Sequence, residues 1–283
     1  MNFAIKCSKN NKKLVTLHYK ENSFNMILLS FDIEEFDVPL EHKVPFTIEQ
    51  QMAVSVEGAN KILDILKEKG VHATMFVTAN FAERAPGVMR RITDEGHEVG
   101  CHSYNHWTYE DGDLGKAREK LREITGQEVA GFRMPRMAPV SDEEIESLGF
   151  TFNSSLNPCF IPGRYMHLTT PRTHFVKGKV HQIPASVTPL LRLPLFWLSA
   201  HNFPTWLYQA LCRRTWKHDG YFTTYFHPWE FYPLGDHPEL KMPFIIRNNA
   251  GKGMCQRLAA LIDMFKSQGA KFVTYSEFLA EKQ

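Results

Sequence analysis

The sequence predicts an α/β protein built on a parallel sheet, and three observations carry that reading. From Met26 onward, short apolar runs alternate with longer amphipathic ones. Glycines close several of the amphipathic runs, as helix stops do. The repeated strand, helix, strand order joins parallel neighbours, in a sheet either open or closed into a barrel.

First in chain order, Met26–Phe31 is a compact apolar run ending in acids, as a buried parallel strand would be. Val54–Lys69 spaces Ile62, Leu63, Ile65 and Leu66 as one helix face, with Gly70 as its stop. His72–Val77 is a second strand, Pro86–Glu95 a helix stopped by Gly96, and His97–Cys101 a third strand. Asp113–Thr125 is helical, and Val129–Phe132 is a short strand ending at Arg133. Ser141-Asp142-Glu143-Glu144 has the form of a capping box, with a helix to Gly149 and a strand at Phe150–Phe152. Residues 157–219 are rich in proline and aromatics; within them only Lys179–Ile183 reads as a strand. Tyr221–Phe226 is a β-branched and aromatic strand, Met254–Gln268 an amphipathic helix, and Lys271–Thr274 a last strand before a helix capped by Ser276.

Composition narrows the function classes. The chain has 283 residues, 43% hydrophobic and 23% charged, proportions of a globular protein rather than a disordered, collagenous or coiled-coil one. Lys and Arg number 33 against 31 Asp and Glu, and the one basic cluster is Arg213, Arg214 and Lys217, so nucleic acid is not an expected partner. Five scattered cysteines with no Cys-x-x-Cys pair read as buried thiols in a reducing compartment. Residues 1–25 lack the apolar core of a secretory signal and are a poor match to the chain from Met26 onward, so they read as a leader or extension ahead of a single domain, 26–283. The expected location is cytoplasmic, with at most peripheral contact at the inner face of the membrane. Leu193–Cys212 holds twenty residues without Lys, Arg, Asp or Glu, about a bilayer span, but Pro194, Pro204, His201 and Asn202 interrupt it. It reads as buried or groove-lining, with an interfacial amphipathic surface as the alternative.

The chemistry-bearing residues fall at strand ends, where parallel α/β folds gather their sites. The first strand ends in Asp32-Ile33-Glu34-Glu35-Phe36-Asp37, the third in His102-Ser103-Tyr104-Asn105-His106, the fourth in Arg133-Met134-Pro135, and the late one in His227-Pro228-Trp229-Glu230. Two histidines four apart plus a carboxylate from another strand form a three-ligand face that leaves a position open on a divalent ion. Strand alternation puts Asp32 and Glu34 on one side; whether Glu34 or Glu35 reaches the ion stays open, and Glu35 and Asp37 read as a solvated acidic loop. Arg133 at its strand end is suited to pair with a buried carboxylate, and Trp229 and Glu230 to pack on or orient the His227 ring.

Together these motifs resemble the polysaccharide deacetylase family with the NodB homology domain, over roughly Ile27 to Phe278. Ser30-Phe31-Asp32-Ile33-Glu34 is similar to the family's first motif, and Gly96-His97-Glu98-Val99-Gly100-Cys101-His102-Ser103-Tyr104-Asn105-His106 closely to its second. Gly131-Phe132-Arg133-Met134-Pro135 is similar to the third, and His-Pro-Trp-Glu at 227–230 to a branch linked to exopolysaccharide biosynthesis. The resemblance implies a distorted, incomplete (β/α)7-type barrel of parallel strands. It implies Asp32 as general base held by Arg133, Glu34, His102 and His106 as ligands of a divalent metal, zinc first and cobalt, nickel or manganese next, and His227 as general acid. Pro135, Arg136 and Trp229 fall at the substrate.

The chain departs from the family at Arg136, where a Tyr is usual, and at Asn153-Ser154-Ser155, where Asp-Ser-Ser is usual; no counterpart of the Trp-containing fourth motif stands out. The implied activity is removal of acetyl groups from an N-acetylated glycan or a lipid-linked sugar precursor. The alternatives are an allantoinase-like amidohydrolase acting on a small amide or cyclic imide, and a non-catalytic glycan-binding protein.

Overall fold

A computed structural model describes residues 25–161, 165–166 and 168–282, so the expected leader lies outside the described residues except for Asn25. The chain runs β1 (Met26–Ile33), α1 (Val38–Glu41), α2 (Ile48–Lys69), β2 (Thr74–Val77), α3 (Ala79–Arg84), α4 (Pro86–Asp94), β3 (Glu98–Cys101), α5 (Asp113–Thr125), β4 (Gly131–Phe132), α6 (Asp142–Ser147) and β5 (Phe152–Asn153). It continues through β6 (Phe160–Ile161), β7 (Tyr165–Met166), β8 (Phe175–Lys177), β9 (Val180–Gln182), α7 (Trp197–Asn202), α8 (Thr205–Asp219), β10 (Tyr221–Phe226), α9 (Phe244–Arg247), α10 (Lys252–Lys266), β11 (Lys271–Phe272) and α11 (Tyr275–Ala280).

One curled sheet organises the molecule, in the order β10-β1-β2-β3-β4-β5-β9-β8, with β11 beside the start of β1. All its pairs are parallel except the β8/β9 hairpin. β1 pairs along one edge with β10 and along the other with β11 at Met26–Ile27 and β2 at Ser30–Ile33. No ladder joins β9 to β10 among the described residues. Ser186 bridges the gap instead, its N–H donating to the Thr223 carbonyl and its Oγ accepting from the Thr223 N–H. The result is an incomplete barrel, as the sequence implied.

Alternation along β1 sorts its side chains. Ile27, Leu29, Phe31 and Ile33 pack outward against the helices, while Met26 and Leu28 join the interior cluster with Phe76, Phe152, Tyr221 and Tyr275. The same period turns Ser30 and Asp32 inward, where both meet Arg133. α11 supplies Tyr275 and Phe278 to this interior.

Several boundaries differ from expectation. α2 begins at Ile48, because Thr47 and Gln50 form a reciprocal capping box ahead of the apolar face that marks the helix. Thr274, not Ser276, caps α11; the Ser276 hydroxyl meets Glu98. At α6 only half of the capping box forms: Ser141 accepts from the Glu144 N–H, but the Glu144 carboxylate accepts from the Tyr109 hydroxyl. Within residues 157–219, α7 and α8 were not legible. They bury Ala200, His201, Tyr208 and Cys212, and Leu195 and Phe196 ahead of them are buried too, so Leu193–Cys212 is largely packing, with Trp206 at 70% exposure its main outward aromatic. Cys101, Cys159 and Cys212 are buried and Cys255 half-buried, while Cys7 lies outside the described residues.

Candidate active site

Four strand ends deliver the site. β1 carries Asp32 and leads directly into Glu34, β3 leads into His102, β4 into Arg133, and β10 into His227. Behind them the peptide groups continue the sheet: the His102 N–H donates to the Val77 carbonyl and the Arg133 N–H to the Cys101 carbonyl, both at 2.9 Å. The functional side chains therefore stand on backbone already fixed by ladder bonds.

Glu34, His102 and His106 converge, with one donor atom from each lying within 4.8 Å of the others. Glu34 Oε2 stands 3.0 Å from His102 Nε2 and 3.2 Å from His106 Nε2. Each imidazole is oriented through its other nitrogen. His102 Nδ1 lies 2.6 Å from the Arg133 carbonyl and His106 Nδ1 2.6 Å from Asp37 Oδ2, so each Nδ1 carries the hydrogen and each Nε2 lone pair faces inward. Two lone pairs and a carboxylate oxygen pointing at one spot repel unless a cation sits between them. Without an ion a proton takes that place. Burial would lower His106, but the Glu34 and Asp37 carboxylates outweigh it and push the imidazole up to about 9. Burial would raise Glu34, yet His106, the His102 hydrogen bond and His227 bring it down to about 2. Two imidazoles, each held through its Nδ1, and one carboxylate suit zinc and its borderline neighbours.

Glu34 rather than Glu35 meets the histidines. Glu35 turns away to Thr78 Oγ1 at 2.9 Å and to Asn80, and its burial raises its carboxyl. The solvated reading of this loop is overturned. Glu35 and Asp37 are 3% and 1% exposed, because the Asp37 N–H turns back to the Glu35 carbonyl and folds the loop over the site.

Asp32 is held by Arg133, whose Nη1 donates to its Oδ1 at 2.5 Å. Arg133 is itself over-determined. It donates to Ser30 Oγ, Ser154 Oγ and the Tyr275 hydroxyl at 2.9–3.0 Å, and its guanidinium lies between the rings of Phe76 and Tyr225 at 4.3 and 4.7 Å. The second oxygen of Asp32 faces His227 Nε2 at 3.8 Å. His227 Nδ1 meets Glu230 Oε1 at 2.9 Å and the ring stacks on Trp229 at 5.1 Å. Burial would lower this imidazole, but the Glu230 hydrogen bond and the Glu34, Glu230 and Asp32 charges raise it.

The three residues expected at the substrate differ in placement. Pro135 is buried, and Arg136 sits beyond it in the left-handed region at φ 55°. The Arg136 side chain is half-exposed, pairs with Glu41 at 2.9 Å and Asp37 at 3.6 Å, and lies over the Trp107 ring. Trp229 is 3% exposed, enclosed by Phe36, Trp197 and His227, so it packs the site from behind and presents no open face. Asp37, Ser30, Ser154, Tyr275 and His201 belong to the site's supports, a role the sequence did not give to any of them.

The family model for polysaccharide deacetylase matches residues 20–152. That match takes in a little under half of the chain, and over it the chain is similar to the family. Among curated relatives, the peptidoglycan-N-acetylglucosamine deacetylase of Bacillus cereus is 45% identical over 100 residues, covering 32% of this chain and 34% of its own. The peptidoglycan-N-acetylmuramic acid deacetylase PdaA of Bacillus subtilis is 33% identical over 100 residues, covering 32% and 38%. The chain thus spans about a third of the length of these curated relatives. A solved structure from Mycobacterium smegmatis, assigned to the polysaccharide deacetylases, superposes with a TM-score of 0.60 over 91% of this chain and 89% of its own, at 18% identity. At that identity the likeness speaks for the incomplete barrel alone.

Proposed function

We propose that this protein is a polysaccharide deacetylase, a metal-dependent enzyme that hydrolyses the acetamide of N-acetylated sugars in a glycan or a lipid-linked glycan precursor. The observation that carries the reading is the convergence of Glu34, His102 and His106 beside an Arg-held Asp32 and the ring of His227. The curated relatives act on N-acetylated peptidoglycan sugars, which favours a glycan over a small cyclic imide. A glycan-binding protein without activity has no use for the Asp32, Arg133 and His227 set.

A divalent ion, zinc first, held by Glu34, His102 and His106 would supply Lewis-acid polarisation of the acetyl carbonyl and a water of lowered pKa. Asp32 takes a proton from the attacking water, with its carboxylate aimed by Arg133. The backbone N–H of Arg136 stabilises the developing oxyanion. His227 gives its Nε2 proton to the departing sugar amine, for which the raised imidazole is suited near neutral pH. The half-exposed guanidinium of Arg136 shapes the sugar's rim where the family more often places a Tyr.

Among the described residues no helix is long and apolar enough to cross a membrane. The proposal places the protein in the cytoplasm, peripheral to the membrane when its substrate is lipid-linked; cell fractionation tests that part. The activity is tested by acetate release from N-acetylglucosamine oligomers. Release abolished by chelation and restored by zinc or cobalt supports the reading. Full turnover in a His102→Ala, His106→Ala double variant contradicts it.

A further inference from the structure

Behind His227 lies a buried polar chain that the proposed mechanism leaves unused. Glu230 and His201 are both fully enclosed, at 0% exposure. His201 Nδ1 stands 2.6 Å from the Asn248 carbonyl, and a carbonyl only accepts, so Nδ1 carries hydrogen. The other nitrogen, Nε2, stands 3.0 Å from Glu230 Oε2, and one hydrogen lies in that contact whichever atom holds it. The remaining oxygen, Oε1, is left as an acceptor. It takes the His227 backbone N–H at 2.6 Å and faces His227 Nδ1 at 2.9 Å, so Nδ1 is the nitrogen of His227 that keeps its hydrogen. His227 Nε2 is then the nitrogen that exchanges a proton on the Asp32 side.

We propose that His201 is a positioning residue: by holding Oε2 of Glu230 it fixes the tautomer and plane of His227. Its own placement is secured on both sides. The His201 carbonyl accepts from Asn248 Nδ2 at 3.1 Å and Asn249 Nδ2 at 2.7 Å, and its ring packs against Trp197 and Trp229. The Glu230 carbonyl in turn accepts from the Gly251 N–H at 2.8 Å, so the segment 248–251 clamps both residues. A fully buried imidazole and carboxylate add little stability over apolar residues of equal volume, which argues for a role behind the reactive ring. Without the His201 contact at Oε2, the hydrogen held there can move to Oε1 and be offered to His227 Nδ1, reversing the tautomer. The inference rests on His227 as the general acid.

Two substitutions separate the contacts. His201→Gln keeps a donor near Nε2, while His201→Asn keeps the Nδ1 bond to Asn248 and removes the one to Glu230. With N-acetylglucosamine oligomers, H201N lowers kcat about tenfold or more with KM unchanged, a share of what general acid catalysis contributes, whereas H201Q stays within about threefold of the parent. Equal effects in the two variants, or no effect in H201N, overturn the proposal. A second reading needs neither variant nor turnover: nitrogen-15 NMR of the zinc-loaded full chain, at a pH above the titration of His227, shows hydrogen on Nδ1. Hydrogen on Nε2 there overturns the proposal even if acetate is released. Absence of acetate release with hydrogen on Nδ1 counts against the deacetylase reading and leaves the positioning role standing.

Discussion

Arg133 shows how much one side chain can be asked to do. It is 1% exposed, pairs with Asp32, and joins β1, the residue after β5 and α11 through Ser30, Ser154 and Tyr275. Removing the charge leaves Asp32 buried without a counter-ion, so Arg133→Met is expected to destabilise the fold by about 3–5 kcal/mol in urea unfolding. A cost under about 1 kcal/mol would mean that Asp32 finds other support. Asp37 acts at the same scale on the histidine pair. Asp37→Asn weakens the hold on His106 Nδ1 and is expected to lower zinc affinity about 10- to 100-fold in competition with a chelating dye, because carboxylates behind metal-bound imidazoles set their tautomer and orientation. An unchanged affinity would mean that the Asp37 contact does not matter to the ion.

Among the elements, α2 and the turn Pro228–Phe231 show how the frame reaches the chemistry. Gly58 lets the helix sit directly on that turn: a Cβ there would come within 1.8 Å of the Pro228 carbonyl oxygen. Gly58→Ala is expected to cost about 1–3 kcal/mol and to lower acetate release by shifting His227, whereas Gly87→Ala, whose added methyl meets nothing within 4 Å, leaves both unchanged. Parity between the two variants in thermal unfolding and turnover would contradict this. The parallel strands and the ligand-bearing strand ends were readable in the sequence, since apolar period and the run 96–106 are local signals. The supports of the site were not, because they are made at distance. Ser30 and Tyr275 stand 245 residues apart, and Arg133 and Tyr275 stand 142 apart. Asp37 was misread for a related reason: composition marks an acidic loop as solvated, and only its fold back over His106 makes it internal. His201 stood out only as a break in an uncharged stretch, whose helices the proline and aromatic content obscured.

For the whole molecule, two conditions should move stability. His97 accepts from the Ala73 N–H, and burial, with the His72 imidazole beside it, lowers its own imidazole to about 4 against 6.5 when unfolded. The unfolded chain therefore binds the proton first. Stability is fully present above about pH 6.5 and is lost as pH falls toward 4, by about 3 kcal/mol from this group. Urea unfolding at neutral and acid pH checks it, with His97→Asn expected to flatten the difference. Zinc should raise stability by about 2.7 kcal/mol when its concentration is a hundredfold above Kd, since it binds a site built only in the folded state. Everything proposed for the site depends on where that ion sits. Anomalous scattering at the zinc edge from zinc-soaked crystals locates it directly. A single strong peak is expected at about 2.0–2.2 Å from Glu34 Oε2, His102 Nε2 and His106 Nε2. A site on Glu35, a site away from the two histidines, or no bound zinc would contradict it.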